Sequence, residues 1–341
     1  MPSVIEVSRG DLIESRHHVS IAVVRADGVL VGSSGDPDVV SFWRSCAKPF
    51  QAVPMIAEGA AAAYAFAPDA LALACASHNG EARHVALARQ MLAASGSSES
   101  DLVCGPHASL NDDVAKAMVA KGEKPTKAHN NCSGKHAGMI ALARHSSWPV
   151  AGYALPEHPV QQRCLTEVAR WTGLDDRAIP HATDGCGVPS FALPLKAMAL
   201  AWARLGSAFA GDRMTSFPRE VQIAAGQLLG AMRGEPFLIA GTGRLDTEIM
   251  SAAGGKVIAK VGAEGVYCAS IPEQRLGLAL KVEDGATRCL GPALLGLLDI
   301  LLPRAVQGLD EQRRPAIRNT LGADVGRIEP RIVLDRAASR R

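Results

Sequence analysis

The hydrophobic period of this chain changes twice, and that change bounds its architecture more tightly than any single motif. Near the N-terminus apolar and polar residues alternate: Val4-Ile5-Glu6-Val7, then Val19 to Val24 and Val29 to Ser33, with Asp27-Gly28 between the last two. A period of two broken by such a pair reads as antiparallel hairpins. From Asp69 to Met232 the spacing is mostly helical. It covers Glu81 to Ala94, a segment capped by Asn111-Asp112 and running to Val119, and about Cys132 to Arg144. Pro159 to Trp171, Pro194 to Arg204 and Pro218 to Met232 follow. After a loop with Gly241-Thr242-Gly243 and a short helix near Thr247 to Ala252, the strand period returns. Lys256 to Val261, Gly265 to Ser270 and Leu276 to Val282 are expected strands, followed by an apolar helix from about Ala286 to Leu302.

Strands at both ends with helices between them predict an α/β (α+β) fold. Its antiparallel sheet is built from both chain ends and flanked by helices, with a helical subdomain from the middle. The expected division is one domain, 1–341, of two interlocked lobes: 1–68 with 233–341 for the sheet, and 69–232 mainly helical. Chemistry is expected in a cleft between them.

The charge balance narrows the function. The net charge is +2, and basic residues are spread without interleaved aromatics, which disfavours nucleic acid. The arginine-rich stretch from Arg313 to Arg341 also carries Asp324, Glu329 and Asp335, and is expected to be a solvated terminal segment. Met1 to Glu14 lacks the basic-then-apolar pattern of a signal peptide, and the most apolar run, Pro292 to Pro303, is too short to span a bilayer. A cytoplasmic location is the expectation. Eight cysteines in such a chain argue for thiols rather than a disulfide framework, with Cys75, Cys104, Cys164, Cys268 and Cys289 as core residues.

The first stretch that carries chemistry is Arg44-Ser45-Cys46-Ala47-Lys48-Pro49-Phe50. At a helix start, one turn brings a serine and a lysine three residues later onto one face. A lysine kept neutral can take the hydroxyl proton, and the helix N-terminus favours the developing negative charge. Pro49 suits a first turn, whereas Pro54 is expected to kink or shorten the helix. Ser77-His78-Asn79 and Lys260-Val261-Gly262 then follow in the order of the S-x-x-K, S-D-N and K-T-G elements of serine β-lactamases and penicillin-binding proteins.

A second constellation is His129-Asn130-Asn131-Cys132-Ser133-Gly134-Lys135-His136-Ala137-Gly138-Met139, with Asp184-Gly185-Cys186-Gly187-Val188-Pro189 farther on. Spacing alone nominates Cys132, His136, Cys186 and Asp184 as metal ligands; buried packing cysteines and a hydrogen-bonded histidine are the competing reading. An ammonium has no lone pair, which makes Lys135 a poor ligand until it loses a proton.

The segments SCAKPFQA, ASHNGE, HNNCSGKHAGM, PEHPVQ, TDGCGVP and GTGRLD, in this order, resemble the class 3, Rhizobium-type L-asparaginases over about Val4 to Val333. The resemblance implies a serine β-lactamase/glutaminase-like fold, unrelated to the asparaginases that use threonine nucleophiles. It implies two Ser-Lys tandems, Ser45 with Lys48 and Ser77 with Lys260. It also implies a Zn2+ site on Cys132, Lys135 and Cys186, and a homodimer. Arg44, Asn79, His136 and Asp184 become substrate-pocket candidates, with Asp184 suited to an α-ammonium and Arg44 to a carboxylate. The expected reaction is hydrolysis of L-asparagine to L-aspartate and ammonia, with zinc shaping the pocket and either Ser45 or Ser77 attacking, the S-x-x-K analogy favouring Ser45. The rivals are a penicillin-interacting serine hydrolase, a zinc-water amidohydrolase, and a non-catalytic amino-acid-binding or zinc-buffering protein.

Overall fold

The computed structural model describes residues 2–336. The chain divides into two compact units. The first comprises Met1–Cys46, Leu193–Gly206 and Glu248–Arg341, and the second Ala47–Ala192 and Ser207–Thr247. In chain order the strands are β1 (Ser3–Arg9), β2 (Leu12–Arg25), β3 (Leu30–Ser34), β4 (Val40–Phe42), β5 (His181–Thr183) and β6 (Pro189–Pro194). The rest are β7 (Ile258–Val261), β8 (Val266–Ile271), β9 (Leu276–Val282), β10 (Ala316–Arg318), β11 (Asp324–Arg331) and β12 (Asp335–Arg336).

The first unit is built on the expected antiparallel sheet, in the order β10-β11-β1-β2-β9-β8-β7, with β3 beside β2 and β12 beside β3. β2 and β9 run in register with Val19 opposite Val282, Ile21 opposite Leu280 and Val23 opposite Leu278. Residues 19–24 of β2 are all buried, so this stretch is covered on both faces. The apolar helix Leu290–Leu301 packs on β8, β9 and β11.

One expectation fails here. The stretch from Arg313 is not a solvated tail: β11 pairs with β1, placing Val7 opposite Ile328 and Glu6 opposite Glu329. Charge pattern concealed this strand, because its polar residues pair laterally, as Arg331 Nε does with Glu6 Oε2 at 3.3 Å, while Ile328 points inward. Residues 337–341 of that stretch lie outside the described residues.

The second unit is mainly helical, and helix Lys48–Ala57 packs against helices 133–145, 159–172 and 219–234. It runs through Pro54 to Ala57. Asn111 caps the helix Asp112–Ala120 as expected, its Oδ1 accepting from Asp113 N at 3.0 Å and Val114 N at 3.1 Å. The hairpin β5–β6 was not legible in the hydrophobic period, because β5 is exposed throughout and too short to show alternation. All eight cysteines are buried thiols, and among the described residues none forms a disulfide. Among the described residues no helix is long and apolar enough to cross a membrane.

Candidate active site

In the first unit Ser45 sits in a 3-10 turn, Arg44–Ala47, which leads into helix Lys48–Ala57. Arg44, half-buried, holds a left-handed φ of 53°. That conformation is unfavourable for a side-chain-bearing residue and persists only where its surroundings impose it. Its neighbours supply the constraint. The fully buried Trp43 donates its indole N–H to Cys268 Sγ on β8 at 3.4 Å, and the Cys46 thiol donates to Lys260 O on β7 at 3.0 Å. The turn bearing Ser45 is thus fastened to the strand bearing Lys260. Lys260 is itself fully buried, and its Nζ donates to Val261 O at 2.9 Å.

In the second unit Lys48 is 2% exposed, and its Nζ donates to Ser77 Oγ at 2.8 Å and to Ala76 O. The resemblance pairs Lys48 with Ser45; the bond within this unit joins it to Ser77. Ser77 follows helix Pro68–Ala74, and its loop is zipped to the distant segment 239–240 by Ser77 N to Ile239 O at 2.9 Å and Asn79 N to Ala240 O at 2.8 Å. His78 holds this loop from the other side. Gly80 N–H donates to its Nδ1 at 3.0 Å, so Nε2 carries the proton and donates to Ser133 Oγ at 2.9 Å. Ser133 opens helix Ser133–His145, whose N-cap is Cys132. At Gly134 a Cβ would lie 2.3 Å from Leu73 O, so only glycine lets the two helices approach.

Burial lowers the pKa of His78 well below the ordinary value, and also that of its stacked neighbour His84, 4.9 Å away between ring centroids. Such histidines are neutral when folded but take up protons in the unfolded chain below about pH 6.5, so stability falls as pH drops through that value. For His78 the expected loss between pH 7.5 and 5.5 is on the order of 1 kcal/mol, and His84, whose pKa is lowered less, adds a smaller amount. Urea midpoints at the two pH values check it, and the loss should shrink in His84→Phe if the assignment is right.

The metal candidates converge. Cys132, Lys135 and Cys186 are each 5–6% exposed, and Lys135 Nζ lies 3.0 Å from Cys186 Sγ. Cys186 occupies the turn between β5 and β6, closed by Asp184 N to Val188 O at 2.8 Å. A hydrogen bond from Cys132 and the Lys135 charge hold Cys186 as a thiolate against the effect of burial, while the same bond and burial push the Cys132 thiol up. Burial opposes the Lys135 ammonium, but Cys186 and Cys132 reverse that and raise its pKa. Among the described residues no group of three or more His, Cys, Asp or Glu is arranged to hold a metal ion. The two sulfurs, together with the Lys135 nitrogen once it has lost a proton, nevertheless fit a borderline-soft cation such as zinc, which would displace the protons now on these atoms.

His136, fully buried, accepts at Nδ1 from Tyr153 OH at 2.7 Å; that hydroxyl accepts from Val103 N at 3.1 Å. The proton therefore resides on Nε2, which makes a loose hydrogen bond to the Cys186 side chain that falls outside strict hydrogen-bond geometry. Burial lowers the His136 pKa to about 4, so the ring is neutral. Asp184 is half-buried and its charge reaches Lys135. Asn79 is 1% exposed, with its side-chain oxygen accepting from Arg244 Nη1 at 2.9 Å and its amide nitrogen donating to Glu81 Oε1 and Thr242 O, each at 3.1 Å. Lys48, Ser77, Asn79, Cys132, Lys135, His136, Asp184 and Cys186 all belong to the second unit; Arg44, Ser45 and Lys260 belong to the first. Sequence reasoning missed Tyr153, Glu81, Thr242 and Arg244 as individual residues. The last three lay inside the motifs ASHNGE and GTGRLD, which were the available signal, whereas Tyr153 offered none.

Solved structures similar to this one include Mglu, 16% identical over 85% of this chain and 68% of that one, with a TM-score of 0.37. Mglu in the presence of 4.3 M NaCl is 15% identical over 83% of this chain and 60% of that one, at 0.37. A β-lactamase from Mycobacterium bovis is 12% identical over 78% and 87% of the respective chains, also at 0.37. Likenesses at these TM-scores carry no weight for function. No curated protein sequence matches significantly. Residues 5–330 match the family model described as L-asparaginase II, and the chain belongs to that family of amidohydrolases.

Proposed function

We propose that the chain hydrolyses the side-chain amide of L-asparagine by Ser-Lys acyl transfer, with Lys48 as the proton acceptor. The observation that supports a Ser-Lys mechanism is the 2.8 Å bond from buried Lys48 Nζ to Ser77 Oγ. In this reading Ser45 attacks the amide carbon while its proton passes to the lysine amine. That proton then goes to the departing nitrogen, ammonia leaves, and water hydrolyses the aspartyl ester with Lys48 again as base. Ser77 and Lys260 relay protons and position the amide, and backbone N–H groups of the turn carrying Ser45 stabilise the oxyanion. The Lys48–Ser77 bond favours a second reading in which Ser77 attacks. Trapping the acyl-enzyme and mapping the modified peptide by mass spectrometry separates the two, since cleavage after Glu58 places the serines on different peptides.

Cys132, Lys135 and Cys186 are the residues that would hold Zn2+. When bound, zinc would neutralise the thiolates and fix the turn bearing Asp184 to the helix bearing His136. Asp184 suits the α-ammonium of asparagine, Arg44 its α-carboxylate, and the His136 Nε2–H is a buried donor suited to a substrate oxygen. A homodimer, as the resemblance implies, completes the reading; light scattering of the purified chain tests it.

Fixed charged groups at the α-end make the pocket sensitive to length. The extra methylene of glutamine displaces its amide carbon by more than about 1 Å, and such misplacement lowers the rate about a hundredfold. Coupled ammonia detection with asparagine and glutamine side by side tests both statements. Equal kcat/KM for the two would defeat the selectivity, and no ammonia from either would defeat the function.

A further inference from the structure

Ser77 N to Ile239 O and Asn79 N to Ala240 O make two rungs between the segment from Ser77 and the segment that enters the loop 241–244. The backbone cannot supply a third rung. The chain turns at Gly241, whose φ is 112°, and a Cβ there would lie 2.5 Å from Glu81 Oε1 and 2.6 Å from Asn79 Nδ2. A side chain replaces the missing rung: Thr242 N donates to Glu81 Oε1 at 2.8 Å, and Thr242 Oγ1 donates to Glu81 Oε2 at 2.9 Å. The same Oε1 accepts from Asn79 Nδ2, while Arg244 Nη1 holds the other end of that amide.

Glu81 is also the N-cap of helix Ala82–Ala94, yet its side chain makes no capping bond to that helix. An N-cap side chain ordinarily accepts from its own first turn. Here both carboxylate oxygens are committed across the loop instead. Burial works against its charge, but the Thr242 and Asn79 donors hold its pKa below the ordinary glutamate value.

We infer that Glu81 is a positioning residue: by clasping Thr242 and Asn79 it locks the loop 241–244 onto the segment that carries Ser77, and so fixes the Ser77 hydroxyl against Lys48. The inference rests on the proposed asparaginase reading of Ser77. Asn79, with both ends of its amide engaged, belongs to the same clasp. The carboxylate acts by geometry, so an amide that keeps the same acceptor and turns its NH2 toward the Thr242 hydroxyl should replace it. A shorter carboxylate should not.

The test uses the full-length enzyme with Glu81→Ala, Glu81→Gln and Glu81→Asp, each checked for unchanged circular dichroism. Glu81→Ala should lower kcat/KM for asparagine about a hundredfold, the scale of a misplacement of about 1 Å. Glu81→Asp should lose about tenfold or more although it keeps the charge, and Glu81→Gln should stay within about threefold of wild type. Hydrogen exchange at the Ser77 and Asn79 amides should quicken in the alanine variant and not in the glutamine one, a readout independent of turnover. Full activity in Glu81→Ala or Glu81→Asp, unchanged exchange in Glu81→Ala, or a Glu81→Gln as impaired as Glu81→Ala would each overturn the inference. If wild type releases no ammonia from asparagine, the functional reading fails, and the exchange arm alone decides whether Glu81 clasps the loop.

Discussion

Lys48→Ala should lower asparagine turnover by about four to six orders of magnitude, and combining it with Ser45→Ala should make matters no worse. Groups that act as one unit lose nearly everything when the first member goes, so their effects do not add. Lys48 is the natural hub of such a unit. The S-x-x-K spacing ties it to Ser45, and its Nζ bonds Ser77 at 2.8 Å. Removing a buried amine also leaves Ala76 O without that donor, and an unsatisfied buried acceptor costs about 1–3 kcal/mol. Melting curves are therefore needed beside the rates, and Lys48→Met, which fills more of the volume, separates lost chemistry from lost packing. Near-normal turnover by folded Lys48→Ala at pH 7 would show that this lysine is not the base. Lys260→Ala would then be expected to show the large loss instead, with Ser77 as its partner.

With the proposed zinc on Cys132, Lys135 and Cys186, its removal should raise KM for asparagine about tenfold or more while kcat falls by a smaller factor. The motivation is the donor set. Two sulfurs and an amine donate much charge to a cation, which weakens its power to acidify water, so its main effect is on shape. That shape matters because Cys186 shares a turn with Asp184, and Cys132 and Lys135 share a helix N-terminus with His136. Losing the cation also restores the Lys135 ammonium against a Cys186 thiolate, a pair that keeps the turn near the helix; this is why the expected effect on KM is not total. The measurement is zinc content by elemental analysis, then initial rates over a wide range of asparagine before and after chelation. Unchanged kcat and KM in verified metal-free enzyme would make the cation incidental. Collapse of kcat with KM unchanged, together with an active Ser45→Ala, would point to metal-bound water as the nucleophile.

Reading the chain by period worked where segments were long and buried on one regular pattern. β9 and helix Pro159–Thr172 fall where alternation and helical spacing placed them, within a residue or two. It failed where tertiary partners supply what local pattern lacks. β11 shows a single buried residue, Ile328, and becomes a strand because β1 has a free edge for it to pair with. The hairpin β5–β6 is similar: the sequence announced its glycine-rich turn but not the short strands on either side.

The candidate site divides the same way. Residue types and intervals were enough to single out Ser45, Lys48, Ser77, Lys260, Cys132 and Cys186, because nucleophile, base and soft ligand are properties of side chains; Lys135 came only from the family resemblance, spacing having favoured His136 and Asp184. Spacing of three or four residues can also place neighbours on one helical turn. It cannot say that Lys48 Nζ meets Ser77 Oγ, that Cys186 comes to within 3.0 Å of Lys135, or that Glu81 turns away from its own helix to hold Thr242. Those approaches join residues separated by 29, 51 and 161 positions, and are decided by how helices and turns pack. The sequence by itself determined which chemistry the chain could carry; the tertiary structure alone decided which atoms face one another, because contact between distant residues is a property of packing and not of spacing.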